Sequence, residues 1–248
     1  MFARDIEPAL VADGVVRLGT ELVNWYLLED GGRVVVVDGG LPAFRPQLER
    51  GLAVLGKATS DVEAIVLTHG HADHTGVVEP LRRELSVPVH VHKEDEQLTT
   101  TGKSFGKKEA ALSPYLRHAH AWKLLAHFAS SGRSKPVQAV QTFDDGAELP
   151  GGLRAIHTGD HTAGHVVLLH EGKKTLFVGD LLATRNPLTG GRGPELMPRA
   201  FNLSSATMLD SLSKIESLDV DAMLFGHGDP WTHGADAAVK RAREIGPT

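Results

Sequence analysis

Four short stretches of this chain carry histidine and aspartate at spacings that ordinary loops do not need. They are Thr68-His69-Gly70-His71-Ala72-Asp73-His74-Thr75-Gly76, Thr158-Gly159-Asp160-His161, Val178-Gly179-Asp180 and Gly226-His227-Gly228-Asp229. Each opens at the end of an apolar, strand-like run and sets its His or Asp beside small residues that let the backbone turn. Neutral imidazole and carboxylate without sulfur suit Zn, Mn, Fe or Ni, and argue against Cu(I) or a Cys-held structural zinc. His69, His71, Asp73, His74, His161, Asp180 and His227 are more donors than one tetrahedral zinc can use. Two divalent ions are therefore expected, with Zn2+ the first expectation, Mn2+ or Fe2+ the alternatives, and Asp180 between them. A metal pair roughly 3.5–4 Å apart clamps a hydroxide and a substrate oxygen together. Open positions on such a pair mean catalysis rather than structure.

The chain holds 14 histidines, so chance has to be weighed. Its own His and Asp frequencies give roughly 0.3% for an accidental His-x-His-x-Asp-His anywhere in the chain. Abundance alone does not explain the motif. His90, His92, His118, His120, His127, His170 and His233 read as surface or packing residues, and His165 as a ring that orients a ligand from behind.

The elements that must position these loops alternate along the sequence. Val15 to Leu18, Leu22 to Leu28, Arg33 to Asp38, Ala64 to Leu67 and Val87 to Val91 read as strands in the first half. Leu153 to His157, Val166 to His170, Thr175 to Val178 and Ala222 to Phe225 follow in the second. Helical spacing runs over Pro42 to Leu55, Val77 to Leu85, Ser204 to Leu218 and Ala235 to Ile245. The segment 93–136 interrupts the rhythm as a helical insertion, with one or two helices over Glu109 to Phe128. No linker divides the chain, so residues 1–248 are expected to form one layered α/β domain, sheets inside and helices outside.

Composition narrows the class. With 248 residues, 41% apolar and 23% charged, the chain can bury a sizeable core. A net charge of -5 offers no general attraction for nucleic acid or an anionic membrane. The absence of cysteine excludes disulfides and thiolate chemistry and suits a reducing cytoplasm. The N-terminus lacks a signal-like apolar region, and no run approaches the roughly 20 apolar residues of a membrane span.

Taken in order, Asp38, His69-x-His71-x-Asp73-His74, His161, Asp180 and His227 resemble the five-motif signature of the metallo-β-lactamase superfamily, across nearly the whole chain. The resemblance implies a four-layer αββα sandwich of two mixed sheets with the site where the sheets meet. It implies that His69, His71 and His161 hold one metal, that Asp73, His74 and His227 hold a second, and that Asp180 bridges. Asp38 would support the metal loops from behind. One departure stands out: where the family commonly reads Thr-Pro-Gly-His-Thr-x-Gly-His, this chain has Thr158-Gly159-Asp160-His161-Thr162-Ala163-Gly164-His165. A glycine has moved and an acid adjoins the ligand, and Asp tolerates the left-handed backbone such a turn uses.

The expected activity is hydrolysis by a metal-bridging hydroxide, with Asp73 also accepting a proton as attack proceeds. The ligand at position 180 disfavours a β-lactam, the short C-terminus a glyoxalase II-like thioesterase, and Leu181-Leu182-Ala183-Thr184 an acyl-homoserine lactonase, whose tyrosine is missing there. An ester, lactone, thioester or small phosphodiester remains as a small-molecule substrate. The persulfide dioxygenases, similar in motif but using one iron, are the alternative from another class. For the pocket, the insertion from Phe105 to Phe128 offers Tyr115, Leu116 and Trp122, and the loop Arg185 to Phe201 offers Met197, Arg199 and Phe201. The insertion would serve either as a lid or as a homodimer interface.

Overall fold

A strand buried on both faces must be apolar at every position rather than at alternate ones, and Val34-Val35-Val36-Val37 is such a run. The computed structural model describes residues 3–103, 107–159 and 161–248. In it a seven-stranded sheet begins as an antiparallel meander of β1 (Ala9–Ala12), β2 (Val15–Gly19), β3 (Asn24–Asp30) and β4 (Arg33–Val37). It continues in parallel through β5 (Val62–Val66), β6 (Val89–His92) and β7 (Gln141–Phe143). The parallel steps need crossovers. These are supplied by α1 (Gln47–Val54), by α2 (Val78–Leu85), and by the insertion with α3 (Glu96–Thr101) and α4 (Ala119–Ser130).

The second half adds β8 (Glu148–Leu149), β9 (Leu153–His157), β10 (Val166–His170) and β11 (Thr175–Gly179), a ribbon of β12 (Leu182–Arg185) and β13 (Arg192–Leu196), and β14 (Ala222–Phe225). The second sheet runs β14-β11-β10-β9-β8. Helices α5 (Ser205–Ser211) and α6 (Ala235–Ile245) complete it.

Side-chain alternation then sets the layers. From the first sheet Tyr26, Leu28, Val35, Val37 and Val66 meet Ala155, Val166, Leu168, Phe177 and Leu224 of the second. Their neighbours Trp25, Leu27, Val34 and Val36 face outward onto Leu48, Leu52, Leu81 and Leu124. On the far side Val167, Leu169 and Val178 pack on Met208, Leu212, Val239 and Ala242. The architecture is the four-layer sandwich of mixed sheets expected.

The local differences have local causes. The helix read over Pro42 to Leu55 is a short 3-10 turn at Pro42–Phe44 followed by α1, because Pro46 has no N–H to carry the helical ladder through. The helix read over Ser204 to Leu218 is only α5, tightening into a 3-10 turn at Leu212–Lys214. The Gly- and Pro-rich stretch after Asp180 is half strand, with β12 pairing β13. No helix among the described residues is long and apolar enough to cross a membrane.

The seam between the sheets is closed by a few polar residues of β2 and β3. Tyr26 Oη donates to the Phe225 carbonyl at 2.6 Å, and Asn24 Nδ2 donates to the carbonyls of Phe225 and Gly228 at 2.9 and 2.7 Å. Asn24 N–H reaches Gly226 O at 2.8 Å, and Arg17 Nε donates back to Asn24 Oδ1 at 2.9 Å. Asn24→Leu would leave buried groups on both sheets without partners, at ~1–3 kcal/mol each. A total near 3 kcal/mol lowers the melting midpoint by roughly 6–12 °C in a chain of this size. Thermal unfolding followed by circular dichroism should show that drop; a change under about 2 °C would mean the seam does not depend on Asn24.

Candidate metal centre

The site sits where the carboxyl ends of β4, β5, β11 and β14 meet. Leaving β4, Asp38 adopts φ 62, a left-handed conformation few side chains take up. The turn brings its carboxylate back under the next loop, where it accepts from Thr68 N at 2.8 Å, from Thr68 Oγ1 at 2.9 Å and from His74 Nδ1 at 2.9 Å. At 3% exposed, Asp38 has no solvent to satisfy it, so this geometry is held.

The donor rings are oriented from behind by hydrogen bonds that assign their tautomers. Thr68 Oγ1 gives its proton to Asp38 and therefore accepts from His69 Nδ1, 3.0 Å away. His74 Nδ1 donates to Asp38, His227 Nδ1 to the Leu22 carbonyl at 2.5 Å, and His161 Nδ1 to Asn202 Oδ1 at 3.0 Å. The Asn202 amide is itself fixed, since Nδ2 donates to Met197 O and Ser205 Oγ. Each of these four histidines thus turns its Nε2 inward. His165 accepts the Asp180 N–H on Nε2 at 2.9 Å and gives its Nδ1 proton to Thr158 Oγ1, so it positions the loop of Asp180 and stays out of the cluster.

Inward, the atoms converge. His71 Nδ1 lies 3.0 Å from His69 Nε2 and 2.9 Å from His161 Nε2. His227 Nε2 lies 3.5 Å from Asp73 Oδ2, and His74 Nε2 lies 4.0 Å from it. Asp180 stands between the two groups: Oδ2 is 3.4 Å from His161 and 3.3 Å from His227, and Oδ1 is 3.4 Å from His74. His69-His71-His161, His69-His74-Asp180 and Asp73-His74-His227 each hold their donor atoms within 4.8 Å. Gly226 is required here, because a Cβ would fall 2.2 Å from Asp180 Oδ1 and 2.6 Å from His74 Cε1.

The arrangement fits cations. Lone pairs on His69, His71 and His161 face one another, and a proton on His71 can serve only one of its neighbours. Among the described residues, His74 Nε2, His227 Nε2 and Asp180 Oδ1 are buried without a hydrogen-bond partner. Burial, then neighbouring imidazoles, push His69 and His71 well below the usual range, and burial pushes His161 down to about 4. These rings stay neutral, as ligands must. Burial alone would lower His74 and His227 too, but the Asp180 carboxylate raises both, helped by Asp38 and Asp73 respectively. Burial would raise Asp180, yet those two rings hold it well below the carboxylate range. The centre calls for positive charge around Asp180.

Two residues that no spacing announces also build the site. Asp95, 1% exposed, accepts from Gly70 N and Thr162 Oγ1 on one oxygen and from Gly164 N on the other, tying the loop of His69 to the loop of His161. Asn202 fixes His161. Asp160 lies outside the described residues, and the turn before His161 is made by Gly159 at φ 60.

A cavity of about 220 Å3 opens onto His71, Asp73, His161, Asp180 and His227, walled by Ala72, Leu124, Phe128, Met197 and Phe201, with Lys108 at its edge. Of the pocket residues expected from sequence, Met197 and Phe201 are there. Tyr115, Leu116, Trp122 and Arg199 are not. Trp122 is 57% exposed, its indole N–H bonded to Leu116 O, because the phase of α4 turns Ala121, Leu124 and Phe128 inward instead. Tyr115 Oη donates to Thr248 O, and Arg199 Nε pairs with Glu109 at 3.0 Å. Phe105 lies outside the described residues.

The profile of the Metallo-beta-lactamase superfamily matches residues 18–227. The chain belongs to that superfamily. "Probable metallo-hydrolase YflN" of Bacillus subtilis (strain 168) is 25% identical over 89% of this chain and 86% of its own. "Uncharacterized protein Rv2581c" of Mycobacterium tuberculosis is 29% identical over 86% of this chain and 89% of its own. Among solved structures, a metallo-beta-lactamase family protein from Thermus thermophilus, TTHA1429, matches at TM-score 0.66 and 27% identity, covering 95% of this chain and 80% of that one. The Rm3 metallo-beta-lactamase matches at TM-score 0.70 over 98% of this chain and 93% of its own, a likeness of fold alone at 19% identity.

Asp38→Asn separates the two halves of the centre. An amide oxygen still accepts from Thr68, but its NH2 then faces His74 Nδ1 and drives the ring's proton onto Nε2, the atom aimed inward. Metal affinity at the His74 group should fall ~10–100-fold while that at the His69, His71 and His161 group is unchanged. Metal content after dialysis against graded chelator reads this out, and wild-type retention of both ions would contradict the tautomer assignment.

Proposed function

We propose that this chain is a dinuclear metal-dependent hydrolase, cleaving a carboxylic ester, lactone, thioester or phosphodiester with water. The observation that carries the reading is the convergence of the donor atoms of His69, His71, Asp73, His74, His161, Asp180 and His227, with outward protons tied to fixed partners. His69, His71 and His161 would hold one divalent ion, Asp73, His74 and His227 another, and Asp180 would face both. When bound, such ions supply Lewis acidity toward the scissile oxygen and bring the pKa of a water toward neutrality.

The chain's own residues do the rest. Asp73 borders the cavity beside His227 and, with a side chain only 13% exposed, is placed to accept the proton that the attacking water gives up. Asp38, Thr68, Asn202 and the Leu22 carbonyl keep the rings from turning, so the donors need no reorganisation as charge develops. In the overall step the water oxygen bonds to the acyl carbon or phosphorus, the bond to the leaving oxygen or sulfur breaks, and the leaving group departs with a proton. Relatives described as metallo-hydrolases agree with this reading.

Purified protein should carry about two zinc or manganese ions per chain. Chelation should abolish hydrolysis and re-addition restore it. Asp180→Asn should lower turnover by at least ~100-fold, the upper end of what losing a mere supporting partner costs. One iron per chain with oxygen uptake on a persulfide would replace this reading with an oxidoreductase, and near-wild-type turnover by Asp180→Asn with both metals kept would remove Asp180 from between the ions.

A further inference from the structure

The sequence suggests a rim of mixed apolar and cationic character, fit for a substrate bearing a negative group. The contacts of Lys108, which lines the cavity, and of Arg199 say otherwise. Arg199 is directed to Glu109, whose other oxygen accepts the Ser205 N–H. Lys108 turns Nζ onto the Phe201 carbonyl at 2.7 Å and the His161 carbonyl at 3.3 Å, with His71 Nε2 also 3.3 Å away. Both cations are drawn onto protein partners.

What remains beside the metal donors is hydrocarbon. Leu124 and Phe128 come from one face of α4, Met197 and Phe201 from the chain after β13, and Ala72 from the loop that carries His71. A nucleobase or sugar held against this wall would bury polar atoms without partners, at a penalty an alkyl chain does not incur. At about 220 Å3 the cavity lies below the 300–1,000 Å3 of drug-sized sites. With a water's share of liquid volume near 30 Å3, it holds roughly seven heavy atoms.

Building on the hydrolase reading above, we propose that the cavity is an acyl pocket. The substrate class is a carboxylic ester, lactone or thioester whose acyl part is uncharged, unbranched or lightly branched, and about four to eight carbons long. Phe128 and Phe201, the two aromatic rings of its wall, set that length. In the step, water oxygen bonds to the acyl carbon, the acyl carbon–oxygen or carbon–sulfur bond breaks, and the products are the carboxylate, a released proton and the alcohol or thiol.

The test uses the metal-loaded protein and straight-chain thioesters and p-nitrophenyl esters from two to twelve carbons. From two carbons upward, kcat/KM should rise by roughly fourfold per methylene, peak between four and eight, and fall by twelve. Phe128→Ala and Phe201→Ala should each move the peak to longer chains, mainly through KM. An ω-carboxylate at the end of the chain should cost at least ~10-fold. A flat profile, or preference for the ω-carboxylate, overturns the acyl pocket while leaving the hydrolase reading intact. Calorimetric binding of n-alkyl hydroxamates of two to twelve carbons is read in parallel. If no ester or thioester is cleaved, the carboxylic-acyl substrate class fails while the hydrolase reading keeps the phosphodiester; a length optimum in hydroxamate affinity that shifts in Phe128→Ala still supports an alkyl pocket, and no length dependence overturns it.

Discussion

Everything in this molecule answers to one electrostatic demand: several nitrogen and oxygen lone pairs are pressed together inside protein, with their protons committed elsewhere. Left to themselves, such atoms repel one another and forfeit hydration. They are held in register because Asp38, Thr68, Asn202 and the Leu22 carbonyl each fix a ring from the outside. The outer hydrogen bonds therefore matter as much as the donors. They turn an unfavourable cluster into a cation-binding one and keep its rings from turning away.

The sandwich is the means of holding that cluster. Asp38 and the loop of His69 come from the first sheet, while His161, Asp180 and His227 come from the second. Neither sheet alone carries a complete set. The seam around Asn24, Tyr26 and Phe225 is thus part of the site in an energetic sense, since it sets how far the two donor groups lie from each other. Asp95 plays the same part at the opposite end by joining two donor loops through one buried carboxylate.

Sequence disclosed the donors because their spacing is local: three rings within six residues after a strand, then single ligands at later strand ends. The layers were legible for a similar reason, since Val34 to Val37 is apolar at every position and so must be covered on both faces. What escaped is what depends on distant partners. Asp95 and Asn202 are ordinary polar residues until folding brings backbone N–H groups and a ring to them. Trp122 misled because its size suggests a pocket, whereas the phase of α4 decides which side faces in and selects Leu124 and Phe128. Arg199 misled in the same way, because only the folded chain brings Glu109 beside it.

The distance along the chain between Asn24 and the carbonyls it grips, those of Phe225 and Gly228, has a consequence for synthesis. A ribosome releases the His-x-His-x-Asp-His loop long before the strand that delivers His227. During that interval the early donors exist without their counterparts and without the seam that spaces them. Closing the ring of donors is therefore a late event, so a cation that needs both groups meets a finished fold rather than acting as the seed around which it forms.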